Sequence, residues 1–170
     1  MTMLSRDELR ERIERETPLI ENMIDKEIQL QPNSVELTLR GIEALRNSGA
    51  IDFDNSQRQV PQSENIGFDS EDWALLAPGT YKVTFNEIVN IPLDLAAIAR
   101  PRSSLLRCGV TVESAVWDSG YRGRSESMLV VHNPHGFRVK RNARLLQLVF
   151  FNLRREVSQG YNGRYQNENV

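Results

Sequence analysis

The sequence has very little cysteine or histidine. Its 170 residues include one cysteine, Cys108, and two histidines. A single cysteine excludes an intrachain disulfide and favours a reducing compartment, so we expect a cytoplasmic protein. A catalytic zinc site with three histidine or cysteine ligands would have to use all three of these residues, which disfavours that class of enzyme.

The sequence also lacks an excess of either charge and any long apolar run. Its 21 basic and 23 acidic side chains give a net charge of −2. This balance argues against a polycationic protein that binds nucleic acid by neutralising many phosphates. No stretch approaches the roughly 20 apolar residues of a membrane span, and the charged start lacks the apolar core of a signal peptide. We therefore expect neither nucleic acid nor a membrane as a partner.

The length suits one domain covering residues 1–170, which begins with a short helix. Ser5 and Glu8 have the spacing of a capping box and predict a helix over residues 5–16, because Pro18 ends the pattern. From Val35 onward the apolar residues alternate with polar ones, as in a half-buried strand.

The remainder of the chain predicts many short strands. They are separated by glycine, proline and asparagine turns, and residues 52–66 are polar enough for a loop or weak hairpin. Residues 145–151 are apolar apart from Gln147, which is typical of a strand buried on both faces. This pattern predicts an all-β sandwich or jelly-roll-like barrel.

Two polar segments are candidates for binding chemistry. The sequence 102–107, RSSLLR, offers two guanidinium groups and two hydroxyls, which could form a phosphate cradle or a solvated surface turn. The sequence 117–123, WDSGYRG, places Asp118 three residues before Tyr121. The carboxylate could orient a water while the ring stacks on a sugar or base, or Asp118 could simply stabilise a hairpin turn.

Two further features are equally open at this point. Gln147 interrupts an apolar strand, so its amide is either satisfied by the backbone or directed at a ligand. Residues 158–170 contain two tyrosines and an arginine among glycines. They could clasp a nucleotide, or they could be a frayed terminus with too little apolar surface to order by itself.

Five segments, taken in order, resemble motifs of the trimeric dUTPase and dCTP deaminase superfamily. Any one of them is a weak signal, but five in register are specific, and the match spans roughly residues 30 to 166. The segments are 31–39 (QPNSVELTL), 102–109 (RSSLLRCG), 118–123 (DSGYRG), 142–150 (NARLLQLVF) and 161–166 (YNGRYQ). Glu36 departs from the aspartate usual in the first motif.

The resemblance implies a jelly-roll dUTPase fold in a homotrimer, with nucleotide sites at the subunit interfaces. It also implies Mg²⁺ bound through the triphosphate and no metal site made by the protein alone. The residues that would contact phosphates are Arg102, Ser103, Ser104, Arg107 and Gln147. Arg107 would also act in catalysis beside Asp118.

The resemblance assigns the remaining roles to the third motif and the tail. Asp118 would contact the 3′-hydroxyl and orient the attacking water. Tyr121 would pack against the deoxyribose and leave no room for a 2′-hydroxyl. The tail, residues 158–170, would close over the triphosphate through three substrate-binding residues: Tyr161, Arg164 and Gln166.

The superfamily contains both hydrolases and deaminases. A deaminase carries a catalytic glutamate ten residues after the aspartate, a count that leads here to Met128, or to Val130 when counted back from Asn133. Neither can move a proton, and Glu126 would reach the place only through a register slip. The sequence therefore predicts hydrolysis of dUTP to dUMP and pyrophosphate by water attack at the α-phosphorus. The alternatives are dCTP deamination, alone or coupled to hydrolysis, and a non-catalytic trimeric nucleotide-binding protein.

Overall fold

A computed structural model of the chain describes residues 2–170. Within this range it contains three short helices, α1 Arg6–Ile13, α2 Lys26–Gln29 and α3 Ser103–Arg107. The strands of the same range are β1 Thr2–Met3, β2 Ile20–Glu21, β3 Val35–Leu45, β4 Ser63–Asn65, β5 Trp73–Leu76, β6 Gly79–Phe85, β7 Ile88–Asn90, β8 Leu95–Pro101, β9 Val110–Glu113, β10 Arg122–Gly123, β11 Glu126–Val131, β12 Phe137–Lys140 and β13 Arg144–Asn152.

Antiparallel pairing organises these strands into one large sheet and two small ones. The large sheet has the order β1-β13-β3-β6-β11-β9, with β4 added beside β3 and β8 added beside β13. The small sheets are β10-β7-β2 and β12-β5. The long strand β3 pairs first with β13 and then with β6, and its register shifts between Leu39 and Gly41, so the sheet curls there. This architecture confirms the predicted all-β, jelly-roll-like class.

The apolar core lies between these curled layers. Its largest fully buried side chains include Phe85 and Phe150, and burial of each such ring stabilises the fold by about 1.5–3 kcal/mol. Strand β13 buries Leu146 and Leu148 as well, on the same face as Phe150, whereas Gln147, Val149 and Phe151 of the opposite face are half-buried. The prediction of a strand buried on both faces is therefore wrong for this second face. Strand β13 lies between β3 and β8, which places Gln147 next to both neighbouring strands.

Strand β3 is more deeply buried than its sequence predicts. Glu36 and Thr38, which the alternation assigns to a solvent face, are 3% and 2% exposed. Glu87, itself fully buried, accepts the Thr38 hydroxyl at 2.6 Å, the Thr38 amide at 2.9 Å and the Gln29 amide at 2.7 Å. The expectation of a solvent face is therefore wrong at these two residues: Thr38 is satisfied by Glu87, and the Glu36 carboxylate is paired with arginine side chains.

The N-terminal helix starts as predicted but ends earlier. The hydroxyl of Ser5 and the carboxylate of Glu8 form both halves of a capping box. The helix ends at Ile13 instead of residue 16, and the amide of Leu19 then bonds to the carbonyl of Arg12 as the chain turns back. Across residues 2–170 no helix is long and apolar enough to cross a membrane.

Candidate active site

The third motif forms a tight turn that presents Asp118 at the surface. Just before the turn, Trp117 and Ala97 of β8 exchange two backbone hydrogen bonds of 2.9 and 3.0 Å. These bonds fix the position of the turn relative to β8. The carbonyl of Asp118 accepts the amide of Tyr121 at 3.1 Å and closes the turn. The Asp118 side chain is exposed. The carboxylate is therefore held at a fixed place on the chain and is accessible to a ligand.

A cavity of about 350 Å³ lies beside this turn. This volume is within the range of small-molecule sites. Asp118 and Tyr121 line the cavity together with tail residues Tyr161, Tyr165 and Glu168. The third motif and the tail, which are about 40 residues apart in the sequence, thus contribute to one cavity.

Tyr121 is held firmly in the wall of this cavity. Its residue surface is only 7% exposed, and its ring meets the edge of the Tyr161 ring with 5.8 Å between centroids and 71° between planes. Its hydroxyl donates to a carboxylate oxygen of Glu168 at 2.8 Å. Burial above all, and then the charge of Glu168, raise the pKa of Tyr121 above its usual value. The phenol is therefore a neutral hydrogen-bond donor.

The C-terminal tail is docked along the third motif of its own chain. The amide of Tyr161 donates to the carbonyl of Ser119 at 2.7 Å, and Gly160 crosses Gly120 at close range. A methyl group added at Gly120, whose φ is +86°, would lie 2.7 Å from the Gly160 Cα. Neither crossing backbone has space for a side chain, so glycine is required for this approach.

The two tail residues predicted to contact phosphate have different surroundings. The Gln166 amide donates to the carbonyl of Gly120 at 2.9 Å, and its oxygen accepts the amide of Arg122 at 2.9 Å. Gln166 therefore ties the tail to the turn in this conformation. Arg164 is exposed and forms no hydrogen bond or ion pair with residues 2–170.

The predicted phosphate cradle is a single helical turn, α3. Leu105 anchors it in the core, while Ser103 and Ser104 are exposed. Arg107 is also exposed and donates to the carbonyl of Ser103 at 3.1 Å. The two hydroxyls and this guanidinium are therefore accessible at the surface, which is compatible both with a phosphate cradle and with a solvated turn.

Arg102 begins α3 and is bound to the first motif. Its Nε lies 2.7 Å from Oε1 of buried Glu36, and the other carboxylate oxygen of Glu36 lies 2.8 Å from Nη1 of Arg144. Nη1 of Arg102 also donates to the Arg144 carbonyl at 3.3 Å. Glu36 thus holds two guanidinium groups, and only part of Arg102 remains available to a phosphate.

Gln147 lies beside this group on β13. It pairs in register with Glu36 on one side and with Arg100 on the other. Its amide is half-buried and lies 3.5 Å from the hydroxyl of Ser34, at the limit of a hydrogen bond. The first, second and fourth motifs therefore meet at one place in the fold.

The candidate phosphate-binding residues and the Asp118 cavity are separate within one chain. None of the phosphate candidates lines the cavity; they are Arg102, Ser103, Ser104, Arg107 and Gln147. Within one chain the candidate residues therefore form two separate groups: one with the carboxylate and the aromatic rings, the other with guanidinium and hydroxyl groups.

Strand β11 brings one unexpected carboxylate to the cavity. Glu126 lines it and forms an ion pair of 3.1 Å with Lys82. The sequence predicts that Glu126 reaches the site only through a register slip, yet it lines the cavity at the start of β11. Met128 is exposed and does not line this cavity.

Sequence reasoning missed two residues of this region. Glu168 follows the last motif by two residues, and its partner Tyr121 is identified only by the fold. The role of Glu36 was also missed, because its arginine partners come from distant segments. The negative charge of Glu36 inside a strand pattern is the only signal that could have indicated it.

Comparison with known proteins supports the resemblance over the whole chain. A family model described as dCTP deaminase-like matches residues 3–153. A Methanosarcina mazei protein named probable deoxyuridine 5′-triphosphate nucleotidohydrolase is 59% identical over 170 residues, covering 100% of this chain and 99% of that protein. A protein with the same name from Archaeoglobus fulgidus is 48% identical with the same coverage.

A solved structure supports the fold. The 2′-deoxycytidine 5′-triphosphate deaminase from Agrobacterium tumefaciens superposes with a TM-score of 0.65 at 23% identity. The match covers 87% of this chain and 46% of that chain. At this identity the likeness concerns the curled β architecture alone.

Proposed function

Since this chain belongs to the dCTP deaminase-like family of the dUTPase and dCTP deaminase superfamily, we propose that it hydrolyses dUTP to dUMP and pyrophosphate. The full-length relatives at 48–60% identity that are named as deoxyuridine triphosphate nucleotidohydrolases support this activity. The observation that carries the proposal is the exposed Asp118 carboxylate on a cavity whose wall contains the buried Tyr121.

Asp118 has the accessibility that its proposed role needs. Its carboxylate binds the 3′-hydroxyl and accepts a hydrogen bond from the attacking water, which it orients. The water oxygen forms a bond to the α-phosphorus while the bond from that phosphorus to the oxygen bridging to the β-phosphate breaks. Pyrophosphate leaves, and the proton of the water is taken up by the carboxylate or by solvent.

Tyr121 supports selection of a deoxyribose. Its ring is fixed by Tyr161 on one side, and its hydroxyl is bound by Glu168. A ring held in this way forms a rigid surface against C2′ of the sugar. A 2′-hydroxyl would have to displace it or remain without a hydrogen-bond partner.

The phosphate groups are proposed to bind across a subunit interface. Because α3 and the Asp118 cavity are separate in one chain, a neighbouring copy has to supply the second group of residues. In the homotrimer that we propose, α3 contributes its hydroxyls and guanidinium groups to the triphosphate, and Gln147 and Arg164 add to them. Gln166 holds the tail closed.

The donor groups of the site suit Mg²⁺ that is bound mainly by the substrate. Mg²⁺ is commonly held by one or two carboxylates together with substrate phosphates and water. Among residues 2–170 no three histidine, cysteine, aspartate or glutamate side chains are grouped as a metal site, so the triphosphate itself would supply the main ligands. When bound, the ion neutralises phosphate charge and polarises the phosphorus. The arginines and hydroxyls of the chain orient the phosphates.

The test uses purified protein with Mg²⁺, given dUTP and dCTP separately, with pyrophosphate and ammonia followed. We expect pyrophosphate from dUTP, and sedimentation of the same preparation should give three 19.5 kDa chains. Asp118→Asn should lower kcat by about 10²- to 10⁴-fold while nucleotide binding persists. Asp72→Asn, an exposed aspartate paired with Arg141, is the matched control. Full activity of the Asp118 variant would refute the role of this carboxylate.

A second candidate, dCTP deamination, is favoured by one observation, since Glu126 places a carboxylate on the cavity wall. Lys82 lies 3.1 Å from this carboxylate, and the Asn169 side-chain amide lies 3.4 Å from it. These contacts oppose a role as a proton shuttle, so we expect no ammonia from dCTP. Ammonia produced from dCTP by the wild type but not by Glu126→Gln would establish deamination that depends on Glu126. Nucleotide binding without any turnover would indicate a non-catalytic protein.

A further inference from the structure

We propose that Glu168 is a positioning residue that holds the Tyr121 ring for deoxyribose, so that sugar selectivity depends on the end of the docked tail. This inference rests on the proposed function for the identity of the nucleotide. It concerns a residue beyond the last of the five motifs, and it links the tail to selection of the sugar in addition to closure over the phosphates.

The contact between the two side chains is short and shielded. The Tyr121 hydroxyl donates to Oε1 of Glu168 at 2.8 Å, and Tyr121 is almost fully buried. Glu168 forms no ion pair with any cation among residues 2–170. Burial first, and the nearby charge of Glu126 as well, raise the pKa of Glu168. A half-buried carboxylate without a cation is costly, and its most direct partner here is the Tyr121 hydroxyl.

The backbone places Glu168 independently of its side chain. Its carbonyl accepts the amide of Arg124 at 3.0 Å, and the preceding amide of Asn167 donates to the carbonyl of Arg122 at 2.7 Å. Glu168 also forms a parallel β-bridge with Gly123. A change confined to the carboxylate should therefore leave the tail docked, which makes the side chain testable by substitution.

The space around Gly123 is a second observation that supports the contact between Tyr121 and Glu168. A methyl group added there would lie 2.6 Å from the Tyr121 hydroxyl oxygen and 3.2 Å from Cγ of Glu168. The hydrogen-bonded pair therefore passes directly over this glycine. No side chain at residue 123 is compatible with the contact, so this glycine of the third motif is explained by the pair above it.

Loss of the carboxylate has a defined consequence for Tyr121. The ring would keep its edge contact with Tyr161, but its buried hydroxyl would lose its acceptor and would be free to turn toward water. The surface presented to C2′ would then no longer be fixed. We expect discrimination against a 2′-hydroxyl to fall by about ten- to a hundredfold, the range of equilibrium change expected for a hydrogen bond to a charged group.

The experiment measures kcat and KM for dUTP and for UTP in the wild type, Glu168→Ala, Glu168→Gln and Tyr121→Phe. Glu168→Ala should lower the dUTP-to-UTP ratio of kcat/KM about tenfold or more, mainly because turnover of UTP improves. Glu168→Gln should retain most of the ratio, because its amide oxygen still accepts from the phenol. Tyr121→Phe combined with Glu168→Ala should be no worse than either change alone, since both remove the same contact. Glu156→Ala, an exposed glutamate just before the tail, is the matched control.

Binding separates failure of this inference from failure of the proposed function. Titration calorimetry with dUMP and UMP measures sugar selectivity without any hydrolysis. Wild-type protein without turnover would refute the hydrolase, while the calorimetric ratio would still decide the role of Glu168. A Glu168→Ala variant that keeps the wild-type selectivity in both measurements would overturn the proposal, as would equal loss in the Ala and Gln variants.

Discussion

Glu36 offers the sharpest test of how the site is held together. It is the buried centre of a three-residue ionic group, with Arg102 Nε at 2.7 Å from one carboxylate oxygen and Arg144 Nη1 at 2.8 Å from the other. The Glu36 side chain is 4% exposed. Glu36→Gln preserves the size of the side chain but removes the charge and replaces one acceptor by a donor that faces a guanidinium group.

The expected loss of stability in Glu36→Gln follows from the burial of Glu36 and from the solvent exposure of the two arginines. Removal of one partner from a fully buried pair costs about 3–5 kcal/mol, and a hydrogen bond to a charged group contributes about 1.5–3 kcal/mol. The arginine side chains are 27% and 33% exposed, so water compensates part of the loss. We therefore expect the free energy of unfolding to decrease by about 2 kcal/mol. This value is below the range for a fully buried pair because water reaches the two arginines.

Urea unfolding of the wild type and the variant, at one fixed protein concentration, measures this difference. The concentration has to be the same because the stability of an oligomer depends on it. Glu64→Gln is the matched control: Glu64 lies 2.5 Å from Arg46 in an exposed pair, where water replaces the contact. Unfolding of the Glu36 variant at the same urea concentration as the wild type and the control would refute the reasoning.

Two further predictions concern the tail and the buried interior. Truncation after Gln159 removes Tyr161 and the other tail residues that line the cavity, so turnover of dUTP should fall at least tenfold; unchanged turnover would show that the tail is no lid. Burial raises the pKa of Glu87, so its contribution to stability is present below the unfolded-state pKa of about 4.3 and is lost as the pH rises through the folded-state value. Denaturant unfolding between pH 4 and 8 should show the wild type losing stability relative to Glu87→Gln as the pH rises, and a constant difference would contradict this.

The features that could be predicted from the sequence depend on residues that lie close together along the chain. The capping box at Ser5 depends on a residue three positions away, and the turn at Asp118 depends on its own glycine. The order of the motifs also selected Asp118 and Tyr121, which line one cavity; their roles in binding and catalysis stay predictions.

The features that were not predicted depend on pairing across the fold. Glu36 reads as an outward residue of β3 because its two arginines come from other segments, 66 positions away for Arg102. Glu168 reads as part of a polar terminus because its partner, Tyr121, is 47 positions earlier. Burial of a charged residue depends on a partner from elsewhere in the chain, and alternation within one strand carries no information about that partner.

The ionic group around Glu36 also changes how the near-neutral composition relates to phosphate binding. Two guanidinium groups fixed near one another repel unless an anion lies between them. Glu36 supplies that anion inside the protein, so Arg102 and Arg144 are held in place before any nucleotide arrives. The three charges sum to +1, whereas Arg107 and Arg164 are exposed and form no ion pair with residues 2–170. In the proposed function these two accessible arginines would attract the triphosphate, while the buried group positions the start of α3. A net charge of −2 for the whole chain is therefore compatible with the local phosphate site that we propose.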